Sequence, residues 1–223
     1  YAWVSSTEAH LCTDLNKLSG PIKSALAADG WTLHEYQAIR EVVQSVDSAL
    51  LYEDPFKTPF RLYEAVPQNT TVRDGPDLAT ALKACKTPGE QENIRLANLH
   101  EGAAVVRLMR WIDANAPSGI LDEYAVGQKL EDFRRLSPLY LQPANIPIVG
   151  YGENAALPHY RPSKTMSAPI VPKGFLLFDV CAQYLCGTTD LTRTVAIGDL
   201  TDEMKLDYTI ALKAHVGLAR QKF

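Results

Sequence analysis

Two aspartates, Asp179 and Asp190, interrupt a segment from Gly174 to Thr194 that otherwise reads as an apolar strand, a glycine turn and a threonine-rich return strand. Period-2 alternation and β-branched content support the strands, and Cys186-Gly187 supports the turn. A carboxylate inside an apolar strand is costly to bury as an ion unless something positive meets it. Two of them on one hairpin make a metal site the economical explanation. Oxygen donors of this kind suit manganese or magnesium and also accept zinc or cobalt. The plainer alternative is an edge hairpin whose aspartates pair with Arg193 or Lys173.

The geometry of that hairpin can be worked out in advance. A two-residue turn at Cys186-Gly187 pairs Asp179 with Thr194, four residues from Asp190. The even offset keeps both carboxylates on one face of the sheet. It also separates them by about 13 Å at ~3.3 Å per residue, too far to share two metals about 4 Å apart. A bulge or longer loop must therefore shift the register, and Gly187 is the place expected for it.

A second segment, Ile148 to Pro162, has two glycines, an Asn-Ala-Ala step and then His159 entering a proline-flanked turn. An imidazole there has the chemistry to donate a hydrogen bond to a developing oxyanion. Taken alone, a loop histidine more often packs than reacts. His10, His34 and His215 lack such a context and read as structural.

The elements that must hold these residues divide near Lys86. Residues 1–85 alternate short α and β pieces: a strand at Tyr1–Val4, a helix from Pro21 to Ala28 closed by Asp29-Gly30, and a strand at Trp31–Tyr36. A further strand is expected at Ala49–Tyr52. Thr87-Pro88-Gly89-Glu90 then spells a capping box. A long helix follows, with Ile94, Ala97, Glu101, Val105, Leu108 and Ile112 on one stripe and Pro117-Ser118-Gly119 past its end. Its Glu101 and His100 read as ordinary helix residues. Asp122 caps a second helix carrying Val126, Leu130 and Phe133. A last helix, Thr201 to Arg220, holds His215 and is expected to pack through Tyr208, Leu212 and Leu218.

The 223 residues are 46% apolar, enough for a substantial core, and carry a net charge of −4. That balance argues against general nucleic-acid or anionic-membrane binding. No apolar run approaches a membrane span, and no signal-peptide pattern opens the chain. Cys12, Cys85, Cys181 and Cys186 lack CxxC pairing and are expected as free thiols in a reducing cytosol, although Cys181 and Cys186 flank the turn. The Asn69-Thr70-Thr71 sequon is read as fortuitous.

The run Asp179…Ala182-Gln183-Tyr184…Gly187-Thr188-Thr189-Asp190…Thr192-Arg193-Thr194 closely resembles the metal hairpin of Xaa-Pro aminopeptidases, the aminopeptidase P branch of the pita-bread metallopeptidases. Val180-Cys181 stand where Ser-Gly is usual, and Cys186 replaces an aspartate that is not a ligand. Gly152-x-Asn154…His159-Tyr160 resembles the segment whose histidine lines the family's active site. The helices from Lys86 through Trp111, with Glu123-Tyr124, resemble the opening of its catalytic domain.

The resemblance implies an α/β (α+β) architecture: a small creatinase-like, non-catalytic domain over 1–85 and the first part of a pita-bread catalytic domain over 86–223. It implies Asp179 and Asp190 as metal ligands and His159 as a catalytic contact to the substrate. Two divalent ions are implied, manganese first, with zinc or cobalt as alternatives. The activity implied is release of the residue before a penultimate proline by a metal-activated hydroxide, in a cytoplasmic homodimer acting on peptides. Three further ligands, a histidine in His-Gly-x-Gly-His and two glutamates, have no counterpart in these residues. The chain is thus expected to be a fragment, inactive alone. Prolidase-type dipeptide cleavage and a non-catalytic pita-bread binding module are the alternatives.

Overall fold

The computed structural model describes residues 1–45 and 50–222. The chain forms two compact units, Tyr1–Cys85 and Lys86–Phe223.

In the first unit β1 (Ala2–Val4) pairs antiparallel with β2 (Ala9–Thr13), and β2 pairs parallel with β3 (Trp31–Glu35) across helix α1 (Gly20–Ala28). Gly30, at φ 86°, follows α1 as the Asp29-Gly30 stop predicts. Helix α2 (Ile39–Gln44) supplies Ile39, Val42 and Val43 to a small core with Cys12 and Ala65. Strands β4 (Leu50–Glu53) and β5 (Thr71–Asp74) form a parallel pair around α3 (Phe60–Tyr63), and α4 (Leu78–Ala84) closes the unit. Ala49, expected in the β4 strand, lies outside the described residues. Strand β2 is central to its sheet although its sequence gave no strand signal. His10 and His34 meet across β2 and β3, ring nitrogen to ring nitrogen at 2.9 Å.

The second unit opens with α5 (Pro88–Asn115), a helix of 28 residues. Its capping box forms as the sequence spells it: Thr87 N–H donates to Glu90 Oε2 at 2.8 Å, and Glu90 N–H donates to Thr87 Oγ1 at 3.3 Å. Ala97, Glu101, Ala104, Val105, Leu108 and Ile112 form its buried stripe, with Ile94 left at the margin. Helix α6 (Glu123–Arg134) is capped by Asp122, which accepts from Ala125 N–H at 2.7 Å.

These helices cover one face of an antiparallel sheet. Strand β8 (Phe175–Tyr184) runs through its middle, with β9 (Gly187–Ala196) along one edge. The other edge is shared by β7 (Ile148–Tyr151) and β6 (Tyr140–Pro143). Alternation sorts β8 cleanly: Leu176, Phe178, Val180, Ala182 and Tyr184 are buried, and their odd-numbered neighbours lie on the more open face. Leu176, Phe178 and Val180 join Leu108, Ile112, Val126 and Leu130 in one core. Burying each such side chain stabilises the fold by roughly 1.5–3 kcal/mol.

A buried polar knot ties the hairpin to the helices. Arg134, 0% exposed, donates to Glu101 Oε1 at 2.5 Å and Oε2 at 3.1 Å, and to Glu131 Oε1 at 2.7 Å. Tyr184, the last residue of β8, donates to Glu101 Oε2 at 2.8 Å, and Tyr140 donates to Glu131. Burial alone would lower the Arg134 pKa, but its bonds and charge pairing with Glu101 and Glu131 outweigh that and raise it. Glu101 therefore serves the fold, as the helix pattern suggests.

The final helix, α7 (Asp202–Ala219), departs from expectation. Tyr208 stacks on Phe175 at 5.4 Å between ring centroids, but Leu218 is 65% exposed.

Candidate active site

The expected hairpin register is corrected by the structure. The turn is Leu185-Cys186, and Gly187 begins β9 opposite Tyr184. Gly187 lies against Ile94 and Ala97 of α5. Tyr184 is held from the core side by Glu101. Packing at this end of the strands, rather than turn chemistry, sets where pairing begins. Asp179 consequently faces Thr192, and Asp190 faces Cys181. The pairing runs without interruption from Phe175 to Tyr184, so no bulge occurs at Gly187; the register shift in this sheet falls in β6 instead.

The two-residue slip preserves parity, which is why the common-face expectation holds while the 13 Å separation does not. Asp179 and Asp190 are now diagonal cross-strand neighbours. One donor atom from each of Asp179, Cys181 and Asp190 lies within 4.8 Å of the others. Neither carboxylate pairs with a cation among the described residues, and Arg193 turns instead to its neighbour's carbonyl at Thr192, 2.7 Å away. The plainer ion-pair account of the hairpin therefore does not describe it.

Two neighbours fix the donors. Thr192 Oγ1–H donates to Asp179 Oδ1 at 2.8 Å, setting that carboxylate's rotation. The Cys181 thiol donates to Asp190 Oδ1 at 3.2 Å. Burial first, then this bond and the charges of Asp190 and Asp179, push the Cys181 pKa up to about 11. Cys181 and Cys186 are both free thiols.

His159 meets the hairpin in a cavity of about 260 Å³, lined also by Asp179, Thr192, Leu177, Ile148 and Asn154. It is the only non-glycine among the described residues with positive φ, at 60°. That left-handed conformation is uncommon outside glycine, though His tolerates it better than most, and such a residue persists only where its surroundings enforce it.

The enforcing group is Glu123, fully buried at the start of α6. Its carboxylate accepts from Tyr151 N–H at 2.7 Å, Asn154 Nδ2 at 3.0 and 3.2 Å, Tyr160 O–H at 2.8 Å and Ala168 N–H at 2.8 Å. Asn154 and Tyr160 bracket His159, so one carboxylate clamps both ends of its loop. Burial and the Glu123 bond raise the Tyr160 pKa to about 12. Beneath the loop, a Cβ on Gly150 would come within 2.8 Å of Ala155 Cα, so only glycine admits this close return of the chain.

Glu123 was missed from sequence because an acid in a helix's first turn is ordinary for the dipole. Cys181 was missed because the residue it faces across the hairpin, Asp190, depends on register. Cys181, Thr192, Asn154 and Tyr160 all lie in the two quoted segments, but nothing in the sequence assigned them partners. His215, read as structural, lines a separate cavity of about 570 Å³ with Thr192, Tyr208 and Leu212.

Residues 92–222 match Metallopeptidase family M24. The chain belongs to that family. Residues 1–90 match the creatinase/prolidase N-terminal domain. The α/β architecture expected from the sequence, a creatinase-like unit followed by pita-bread elements, is thus the architecture of an M24 protein.

Curated relatives of this M24 chain include Xaa-Pro aminopeptidase 2 of Sus scrofa, 32% identical over 193 residues, covering 86% of the chain and 29% of that protein. Xaa-Pro aminopeptidase 1 of Dictyostelium discoideum is 32% identical over 230 residues, covering 100% of the chain and 36% of its own length. Among solved structures, the X-prolyl aminopeptidase of Caenorhabditis elegans, described as a cytosolic enzyme with a di-nuclear active site, superposes with a TM-score of 0.90. It shares 27% identity over 100% of this chain and 37% of that one. The chain spans between 29% and 44% of the length of these curated relatives.

Proposed function

We propose that this M24 chain contributes the aspartate hairpin and the histidine loop of a dinuclear Xaa-Pro aminopeptidase. The observation that carries the reading is the convergence of Asp179 and Asp190 within 4.8 Å on the open face of the hairpin, with His159 in the adjoining cavity. The names of the relatives and the di-nuclear active site of the C. elegans enzyme support it.

The donor set fits divalent ions: two ionisable carboxylates, diagonal on one sheet face and, among the described residues, without a competing cation. Asp179 and Asp190 would hold them; as a pair of oxygen donors they suit manganese and also accept zinc or cobalt. Such ions, when bound, lower the pKa of a water and polarise the carbonyl to be cleaved.

This chain's own residues then have separable roles. Thr192 holds Asp179 in one orientation. His159, fixed by its clamped loop, donates a hydrogen bond to the carbonyl oxygen as negative charge develops there, a contribution of the oxyanion-hole kind. Leu177, Leu157 and Ile148 line the cavity wall beside it. Asp179 and Asp190 are two of the five protein ligands the resemblance implies, so the activity is proposed for a protein that brings the other three. A cytoplasmic homodimer acting on peptides remains our proposal for that protein.

The test uses the natural protein, stripped of metal and assayed with and without added manganese, zinc or cobalt on two peptides that differ only in proline or alanine at the second position. Metal-dependent release of the first residue from the proline peptide alone is expected, and it should disappear in Asp190→Ala. Equal cleavage of both peptides, or turnover unchanged in Asp190→Ala, would overturn the reading. Cleavage of Xaa-Pro dipeptides to the exclusion of longer peptides would assign prolidase instead.

A further inference from the structure

Cys181 stands on the hairpin between the two carboxylates. It is two residues from Asp179 along β8, its backbone pairs with Asp190 across to β9, and the alternation of β8 puts its side chain on the same open face as both. Its Sγ is 3.2 Å from Asp190 Oδ1, and all three residues meet within 4.8 Å. Odd positions further along β8 (Phe175, Leu177, Gln183) offer no sulfur or carboxylate donor.

We propose that Cys181 is a third protein donor at this site, making the hairpin a mixed carboxylate–thiolate set that favours zinc or cobalt over manganese. The inference rests on Asp179 and Asp190 being metal ligands and deepens that reading by naming a sulfur donor and the ions it selects. Typical metal–sulfur and metal–oxygen distances are about 2.3 and ~2.1 Å. The 3.2 Å separation of Sγ and Oδ1 would let both atoms reach one ion at those distances. The step is a simple exchange without redox change. The S–H bond breaks, its proton passes to solvent, and a sulfur–metal bond forms in its place. Thiolate donors raise affinity for zinc and cobalt, whereas manganese, weakest in the divalent series and suited to oxygen, gains least. Cys186 sits in the turn, outside the donor group, and serves as an internal control.

The experiment titrates the metal-free full chain with cobalt(II), following both the visible ligand-field bands and the near-ultraviolet sulfur-to-cobalt charge-transfer band. Wild type and Cys186→Ser should show both signals at the same stoichiometry. Cys181→Ser should lose the charge-transfer band and still bind cobalt, with zinc affinity reduced about tenfold or more and manganese affinity changed far less. Asp190→Asn should lose both signals, and far-ultraviolet circular dichroism should show all variants folded. Cobalt bound by wild type in an Asp190-dependent way without the charge-transfer band would overturn the sulfur donor and leave the carboxylate site standing. A band that survives in Cys181→Ser would belong to another cysteine and equally overturn it. No cobalt binding by wild type would overturn the carboxylate reading and the sulfur donor together.

Discussion

Asp190 lies opposite Cys181 and one diagonal step from Asp179, so a hairpin with unbroken pairing brings the two carboxylates together. This relationship makes their contributions to metal binding inseparable. With one carboxylate replaced by Ala, the hairpin keeps a single ionised oxygen donor for an ion. Asp179→Ala and Asp190→Ala should each weaken manganese binding by at least about tenfold, on the order of 1.4 kcal/mol, as measured by calorimetric titration. Because both side chains lie on the open face, thermal stability in metal-free buffer should change little. A variant that binds manganese as wild type does would remove that residue from the ligand set.

Arg134 is the cation on which the hairpin's far end depends. Arg134→Ala leaves Glu101 and Glu131 buried without their counter-charge, and Tyr184 loses a fixed partner at the end of β8. Breaking a buried pair in this way costs roughly 3–5 kcal/mol. Urea unfolding of the variant should show a loss of that size. Replacing Arg134, Glu101 and Glu131 together by apolar residues should cost less, because no charge is stranded. A loss below about 1 kcal/mol in Arg134→Ala would show that the knot does not hold the sheet to its helices.

What could be read beforehand followed from local rules. The capping box at Thr87-Glu90, the stripe on α5 and the Asp122 cap depend on residues within a few positions of one another, and each forms as written, Ile94 of the stripe excepted. Parity placed Asp179 and Asp190 on one face because a strand's period is 2 and the expected and observed registers differ by an even number of residues. The register itself depends on packing between the hairpin end and α5, a contact between residues some ninety positions apart, and no turn rule contains it. For the same reason the partners of Glu123, spread from Tyr151 to Ala168, were invisible although the segment around His159 was already marked. Strand β2 went unread because a central strand is recognised by its two neighbours.

Asp77 gives the first unit an acid-sensitive latch. Its carboxylate caps α4, accepting from the Thr80 hydroxyl at 2.6 Å and from Lys57 Nζ at 3.1 Å. The Thr80 bond and then the Lys57 bond lower its pKa to about 2. A folded-state pKa below the ordinary value, near 3.9, means stability that is present above about pH 4 and is lost as pH falls toward 2. Melting temperature across that window should therefore drop more steeply for wild type than for Asp77→Asn, which keeps a capping oxygen but cannot titrate. Superimposable pH profiles would show that the latch carries no linked stability.

Glu123 should control the order of the His159 loop more than that of the helix it begins. Glu123→Gln keeps the side chain's shape but turns an amide N–H₂ toward donors at Asn154, Tyr160, Tyr151 or Ala168. Loss of hydrogen bonds to a buried charge costs about 1.5–3 kcal/mol each, and part of the loop must detach. Amide hydrogen exchange over residues 150–160 should rise by at least about tenfold, while α5 stays protected. Tyr160, no longer bonded to a carboxylate, should ionise below its present value of about 12. In wild type that raised phenol contributes stability at pH below its ordinary pKa near 10, and the contribution is lost as pH climbs through about 12. Glu123→Gln should therefore unfold with a smaller added loss across that alkaline window. Unchanged exchange in the loop, with Tyr160 titrating as in wild type, would show that the backbone of the His159 loop holds its left-handed turn without the clamp.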